Sequence, residues 1–343
     1  MKRTIPLLTA SCLLALALSQ LDKTPAVKAV PAQGNSAFSF ALVGDLPYGD
    51  AEVAKFDNVI AEINQDRSVR FVMHTGDIKG GSERCDDERI LARYNQYQQF
   101  ATAFILTPGD NDWTDCHRVN NGSYNPLERL DFLRKVFYPT PNRSLGQRPI
   151  PVFSQSETPG FAKYVENVLF VRNRIVFSTI HVIGSNNNLA PWSGIDPADA
   201  FGNPRADRIA EFNERQSANL NWLDRTFDLA EAYNAPGVFI MIQANPRFDL
   251  PATDQGRAGF NTFLDKLRQR SLAFGKPVVL AQGDFHEFMI DKPFDTDNNP
   301  GLPKFTRIQA FGSPRVHWVK VKVNPQASPV FSFEEKIVEK NIQ

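Results

Sequence analysis

Four short apolar runs in this chain end in the same dipeptide, Gly-Asp. Residues 38–43 lead to Gly44-Asp45, 71–73 to Gly76-Asp77, 104–106 to Gly109-Asp110 and 278–280 to Gly283-Asp284. Branched and aromatic runs this short, bounded by turn residues, read as buried strands. Helical patterns separate them. Val53, Phe56, Val59, Ile60 and Ile63 share one helix face, with Asp50 placed to cap the helix. A later helix carries Phe212, Leu220, Leu223 and Phe227, and another Phe260, Phe263, Leu264 and Leu267. Further strands are expected at 174–183, 238–242, 316–323 and 330–333. This alternation implies a layered α/β fold. Residues 118–165 interrupt it as an irregular insertion around one short helix at 130–137.

In open α/β sheets, ligands bind beyond the carboxyl ends of the strands. That is where the four aspartates stand. A fifth run, 238–242, ends in Gln243-Ala244-Asn245, and Asp284 is followed by Phe285-His286. One Gly-Asp is an ordinary turn signal, but four at strand ends ask for another reason. Two carboxylates about 4 Å apart repel by roughly 4 kcal/mol at an effective dielectric of 20. Protons, a cation from Lys79, Arg84 or Arg118, or a bound divalent metal ion could each offset that repulsion.

The beginning of the chain reads differently. Lys2-Arg3 precedes an apolar stretch from Ile5 to about Leu18, too short for a comfortable membrane span. Residues 1–29 are therefore expected to be a signal peptide and linker, cleaved after Ser19 or Ala29, with an uncleaved anchor as the alternative. The mature chain, 30–343, would then be exported to a periplasmic or extracellular space, with no stable membrane span. Export leaves two cysteines, Cys85 and Cys116, an even pair that suggests a disulfide in an oxidising compartment. Closing that loop of about 30 residues would contribute roughly 3–4 kcal/mol in the chain-entropy model. A net charge of zero argues against general nucleic-acid binding.

Taken in order, Asp45, Asp77, Asp110-Asn111, Gln243 and Asp284-Phe285-His286 resemble the five motifs of the calcineurin-like metallophosphoesterase superfamily. The resemblance runs from about residue 38 to 323, with "RQSANLNWLD" and "QGDFHEF" as supporting pieces. It implies a four-layer α/β/β/α sandwich of two mixed β-sheets flanked by helices, around a two-metal site. Asp45, Asp77 and His286 match the family's positions. Pro47 stands where the first motif has a histidine, Asp110 replaces the usual asparagine ligand, and Asn111 replaces the histidine that protonates the leaving group. Gln243, or less closely Asn245, takes the place of the fourth-motif histidine, and Asp284 replaces the first histidine of the last motif.

The implied metal ligands are Asp45, Asp77, Asp110, Gln243, Asp284 and His286, with Asn111 and His286 in catalytic positions. Trading imidazoles for oxygens favours Mn, Mg or Ca over Zn or Fe at the two implied sites. Arg118 and His117 are candidates for binding phosphate, and His117 or His181 for supplying the missing proton. His74 and His317 are expected to pack within strands. The implied activity is hydrolysis of a small phosphomonoester or phosphodiester by metal-activated water. The alternative is a non-catalytic protein that binds a metal, ligand or partner in the same cleft.

Overall fold

The computed structural model describes residues 34–294 and 301–342. The expected signal peptide and both cleavage positions lie outside them. Five strands form one sheet: β1 (Phe38–Val43), β2 (Val69–His74), β3 (Ala103–Leu106), β11 (Trp318–Val323) and β12 (Phe331–Lys336), in the order β12-β11-β1-β2-β3. Seven form the other: β4 (Phe153–Ser154), β5 (Val168–Arg172), β6 (Ile175–Thr179), β7 (Val238–Met241), β8 (Val278–Gln282), β9 (Met289–Asp291) and β10 (Phe305–Gln309), in the order β4-β5-β6-β7-β8-β10-β9. Both sheets are mixed. β1, β2 and β3 run parallel while β11 and β12 are antiparallel. β6, β7, β8 and β10 run parallel, with antiparallel strands at the edges.

The period-two alternation of β1 sets the layers. Phe38, Phe40 and Leu42 enter a core shared by both sheets, beside Phe71, Phe170, Phe177, Phe239 and Ile308. Ala41 and Val43 face the other way. They join a second core with Phe56, Val59 and Ile60 of α1 (Gly49–Gln65), Ile90 and Tyr97 of α2 (Asp87–Tyr97), and Leu133 and Phe137 of α3 (Pro126–Phe137). On the second sheet, α4 (Ala206–Ala232) is tied to β6 by the Thr226 hydroxyl, which donates to Trp222 O at 2.8 Å and lies 3.0 Å from Ser178 Oγ. Lys266 and Arg270 of α5 (Asn261–Phe274) pair with Asp224 of α4. The order of layers is thus helices, sheet, sheet, helices, as the resemblance implied.

Two local expectations change. Asp50 does not cap α1: Tyr48 is the capping residue and no side-chain cap bond forms. The free N–H groups are met instead by Glu52, which accepts from Tyr48 N at 2.8 Å, and by Glu83, which accepts from Gly49 N at 2.9 Å. The strand expected at 174–183 is shorter and begins at Ile175, because Asn173 and Arg174 turn the chain back onto β5 with φ of 47° and 67°. The insertion holds α3 and β4, and Cys116 just ahead of it forms a disulfide with Cys85.

Candidate metal centre

The carboxyl ends of β1, β2 and β3 deliver Asp45, Asp77 and Asp110, and the end of β8 delivers Asp284. The two sheets meet at these residues. Asp284 N donates to Asp45 Oδ1 at 2.9 Å, and the Ser185 hydroxyl, from the segment after β6, lies 2.9 Å from Asp110 Oδ2. The Gly-Asp pairs now have a steric reason. A Cβ on Gly109 would stand 2.0 Å from Asp77 Oδ1, and one on Gly283 would stand 2.1 Å from Asp45 Oδ2. Gly109 makes room for the acid of the neighbouring strand, and Gly283 for an acid of the other sheet.

Backbone strain collects at the same place. Asp45, Asp77, Asp284 and His286 all adopt left-handed φ, between 51° and 79°. Ser185, Asn186, Asn187 and Asn188 do so in succession, with φ from 49° to 68°. L-residues visit this region as isolated residues, at a cost of order 1–3 kcal/mol each, and such strain clusters at functional sites. Here it turns Ser185 toward two acids at once, Asp110 and Asp115. One hydroxyl has one proton, so the second short contact needs a proton on one of the two acids.

Electrostatics point the same way. Burial, reinforced by the neighbouring carboxylates, raises Asp45 and Asp77 well above the usual carboxylate range. Burial and Asp115 push Asp110 up to about 7. Burial and Asp110 push Asp284 up to about 8, although Asn245 N–H and the nearby Gln243 amide favour its charged form. That Gln243 contact lacks hydrogen-bond geometry, since Nε2 has no partner. Two carboxylate oxygens in the cluster, Asp45 Oδ2 and Asp110 Oδ1, are buried without a hydrogen bond.

The three cations the sequence offered each have another hydrogen-bond or ion-pair partner. Arg118 pairs with Asp115 at 2.6 Å, and buried Lys79 donates to Asn121 Oδ1 at 2.7 Å. Arg84 pairs with exposed Asp86. Asp112 accepts from Ile78 N at 2.7 Å, Gly109 N at 2.7 Å and Asp77 N at 3.1 Å, so it braces the loops rather than facing the cleft.

The other expected residues divide. Asn111 is in the cleft, and its Nδ2 donates to Asp77 Oδ2 at 2.8 Å and Tyr48 Oη at 3.1 Å. His286 is there too; its Nδ1–H donates to Ser313 O at 2.8 Å, and burial keeps the ring neutral by lowering its pKa. Gln243 Oε1 already accepts from Gly184 N at 2.7 Å. His117 accepts from Gly194 N at 3.1 Å, and burial lowers its pKa to about 4. His181 is fully buried with both nitrogens engaged, by Glu166 and Trp113, and has no route to a leaving group. His74 is a core residue bonded to Leu46 O and Gly76 N. His317 packs on Phe311.

Tyr48 was missed by the sequence motifs. Its hydroxyl lies among Asp77, Asn111 and His286. Its only sequence signal is its place three residues after Asp45.

Donor type and charge fit a hard divalent cation on the Asp110–Asp284 side: oxygens only, one of them orphaned, with too few cations to balance them. The Asp45–Asp77–His286 side fits less well, because Tyr48 is bonded to two of its three donors. Among the described residues, no three His, Cys, Asp or Glu side chains stand ready around one point, so binding would require a carboxylate to turn.

No protein-family model and no curated protein sequence matches the chain. Solved structures do match, at low identity. GAP50, the anchor in the inner membrane complex of Plasmodium, is 11% identical, with a TM-score of 0.49 over 89% of this chain and 86% of that one. The 5'-nucleotidase from Candida albicans is 12% identical, with a TM-score of 0.41 over 88% of this chain and 51% of that one. The present chain thus spans about half of that nucleotidase's length. The Thermus thermophilus protein TT1561 is 10% identical, with a TM-score of 0.45 over 89% of this chain and 100% of that one. What the cleft does must be argued from its own residues.

Proposed function

We propose that the chain is an exported phosphoesterase that uses a hard divalent cation, Mn, Mg or Ca before Zn or Fe, to hydrolyse a small phosphomonoester or phosphodiester. One observation carries this reading: buried carboxylates converge at the strand ends, with Asp45 Oδ2 and Asp110 Oδ1 left without a hydrogen bond. Asp77, Asp110 and Asp284 would hold the ion, with Gln243 and Asp45 behind them. A bound cation of this kind polarises phosphoryl oxygens and lowers the pKa of a bound water. Arg118, partly exposed beside Asp115, would steer an incoming phosphate. Asn111 offers an amide where the family has an acid, so the leaving group must be a good one or find its proton elsewhere.

The disulfide supports an oxidising compartment. No helix among the described residues is long and apolar enough to cross a membrane. A second reading, ligand binding without turnover, is favoured by the Tyr48 hydroxyl, which already engages Asp77 and His286.

The test is to strip the purified chain with chelator, add Mn, Mg or Ca, and measure bound metal and hydrolysis of a bis-aryl phosphate. Metal-dependent turnover, lost in Asp110→Asn and Asp284→Asn, is expected. Metal binding without turnover selects the second reading. No binding and no turnover with any cation sinks the first.

A further inference from the structure

The hydroxyl of Tyr48 is the most connected group in the cleft. Oη lies 3.2 Å from Asp77 Oδ2, 3.1 Å from Asn111 Nδ2 and 3.3 Å from His286 Nε2. The roles follow by elimination. Ser313 O is a carbonyl and only accepts, so His286 Nδ1 carries the ring proton and Nε2 presents its lone pair. Asn111 Nδ2 only donates. Tyr48 therefore accepts from Asn111 and has one proton to share between Asp77 and His286.

That arrangement occupies the space between Asp77 and His286. A neutral imidazole nitrogen has a single lone pair, which can meet a hydroxyl or a cation but not both. At Asp77, Oδ2 accepts from Asn111 as well as from Tyr48, and Oδ1 accepts from Asn111 N at 3.1 Å. Asp45 Oδ1 accepts from Asp284 N, and its other oxygen lies against the Gly283 backbone. Asp45 Oδ2 and Asp110 Oδ1 both lack a hydrogen bond, but the Tyr48 hydroxyl stands among Asp77, Asn111 and His286, on the Asp45 side only.

Tyr48 is also held from several directions. Glu52 accepts its N–H, Gly80 lies against its ring, and the His286 ring meets it edge-on at 5.2 Å between centroids.

The geometry points to a one-cation centre: the Tyr48 hydroxyl takes the place of the cation that Asp45, Asp77 and His286 would otherwise share, and a single divalent ion binds on the Asp110–Asp284 side. This rests on the metal-dependent reading above, and the test separates the two. Mn²⁺ is titrated into chelator-stripped protein, with the stoichiometry read by calorimetry and spin coupling between ions read by electron paramagnetic resonance. The wild type should bind one Mn²⁺ per chain and give an uncoupled signal. Tyr48→Ala should take up a second equivalent and give a coupled signal. Two equivalents in the wild type, or a folded Tyr48→Ala that stays at one, overturns the inference and leaves the metal-dependent reading standing. No binding to the wild type overturns that reading and this inference with it. If Tyr48→Ala does not fold, the wild-type count still decides.

Discussion

Glu166 and Asp284 are both carboxylates taken out of water, yet their surroundings treat them oppositely. Glu166, just before β5, has no exposed side chain, pairs with Arg134 at 2.6 Å and accepts from His181 Nδ1 at 2.8 Å. Burial alone would raise its pKa, but the Arg134 charge and these bonds outweigh it and hold the carboxyl well below its ordinary value. Glu211 nearby is held low in the same way by Arg215, at 2.6 Å. Asp284 is pushed up to about 8 by burial and by Asp110, which outweigh the Asn245 N–H, the Gln243 amide and the Arg247 charge. A buried acid whose partners are all in place is part of the scaffold. One left among other acids is waiting for something to neutralise it, and perturbed groups of that kind gather at functional sites.

The largest effect should come from breaking the satisfied region. Arg134→Ala leaves Glu166 buried without its cation, a change that typically costs about 3–5 kcal/mol. Denaturant unfolding would read this as a lower midpoint. A loss below about 1 kcal/mol would mean that Glu166 is not held by its partner, and the contrast with Asp284 would fail. The sign with pH also differs. A depressed folded pKa contributes stability above the unfolded value of about 4.3, and that stability is lost as pH falls toward the folded pKa.

The next effect tests what braces the charged side. Cys85 and Cys116 join the loop after Asp77 to the turn after Asp112, and both sulfurs lie 3.8 Å from Asn111 O. Replacing both cysteines with serine should cost about 3–4 kcal/mol from chain entropy. The comparison is sharpened by doing this in chelator and in Mn²⁺. If the bond opposes repulsion among the acids, the loss is larger in chelator. Equal losses would make it a brace for the chain alone.

How much of this was legible follows from where the causes lie. β1, β2 and β3 were readable because their apolar runs are short and lead to glycines, which are demanded by the Thr75 side chain at Gly44, by backbone at Gly76 and by Asp77 at Gly109. β5 was not, since its hairpin to β6 turns through Asn173-Arg174, both at positive φ, where an Asn-Gly pair would have announced it. β9 has only three residues, too few for any period. Asp45, Asp77, Asp110, Asp284 and His286 could be placed by their positions at strand ends. Tyr48 could not, because a tyrosine after proline is unremarkable until Asp77, Asn111 and His286 arrive from three other segments. The left-handed turn left a faint mark, the three successive asparagines at 186–188, the non-glycine residue that tolerates that conformation best.

The smallest predicted effect bears most directly on the cleft. Asp284, at about 8 in the folded chain against about 3.9 unfolded, takes up a proton on folding between those values, and Asp110, at about 7, does the same. Uptake on folding makes stability fall as pH rises. The metal-free chain should therefore be most favoured by these groups below about pH 4, lose that advantage steadily, and level off above about pH 8. This is the reverse of the Glu166 contribution. A divalent cation that binds only the folded state would restore about 2.7 kcal/mol at a hundred times its Kd. Thermal melts of chelator-stripped protein at pH 8, with and without Mn²⁺, should show a rise in Tm that Asp284→Asn removes, while Asp284→Asn itself melts no lower than the stripped wild type. If the variant keeps the Mn²⁺ response, Asp284 is not a ligand. If it melts lower without metal, its carboxylate was satisfied all along, and the two regions differ less than their geometry says.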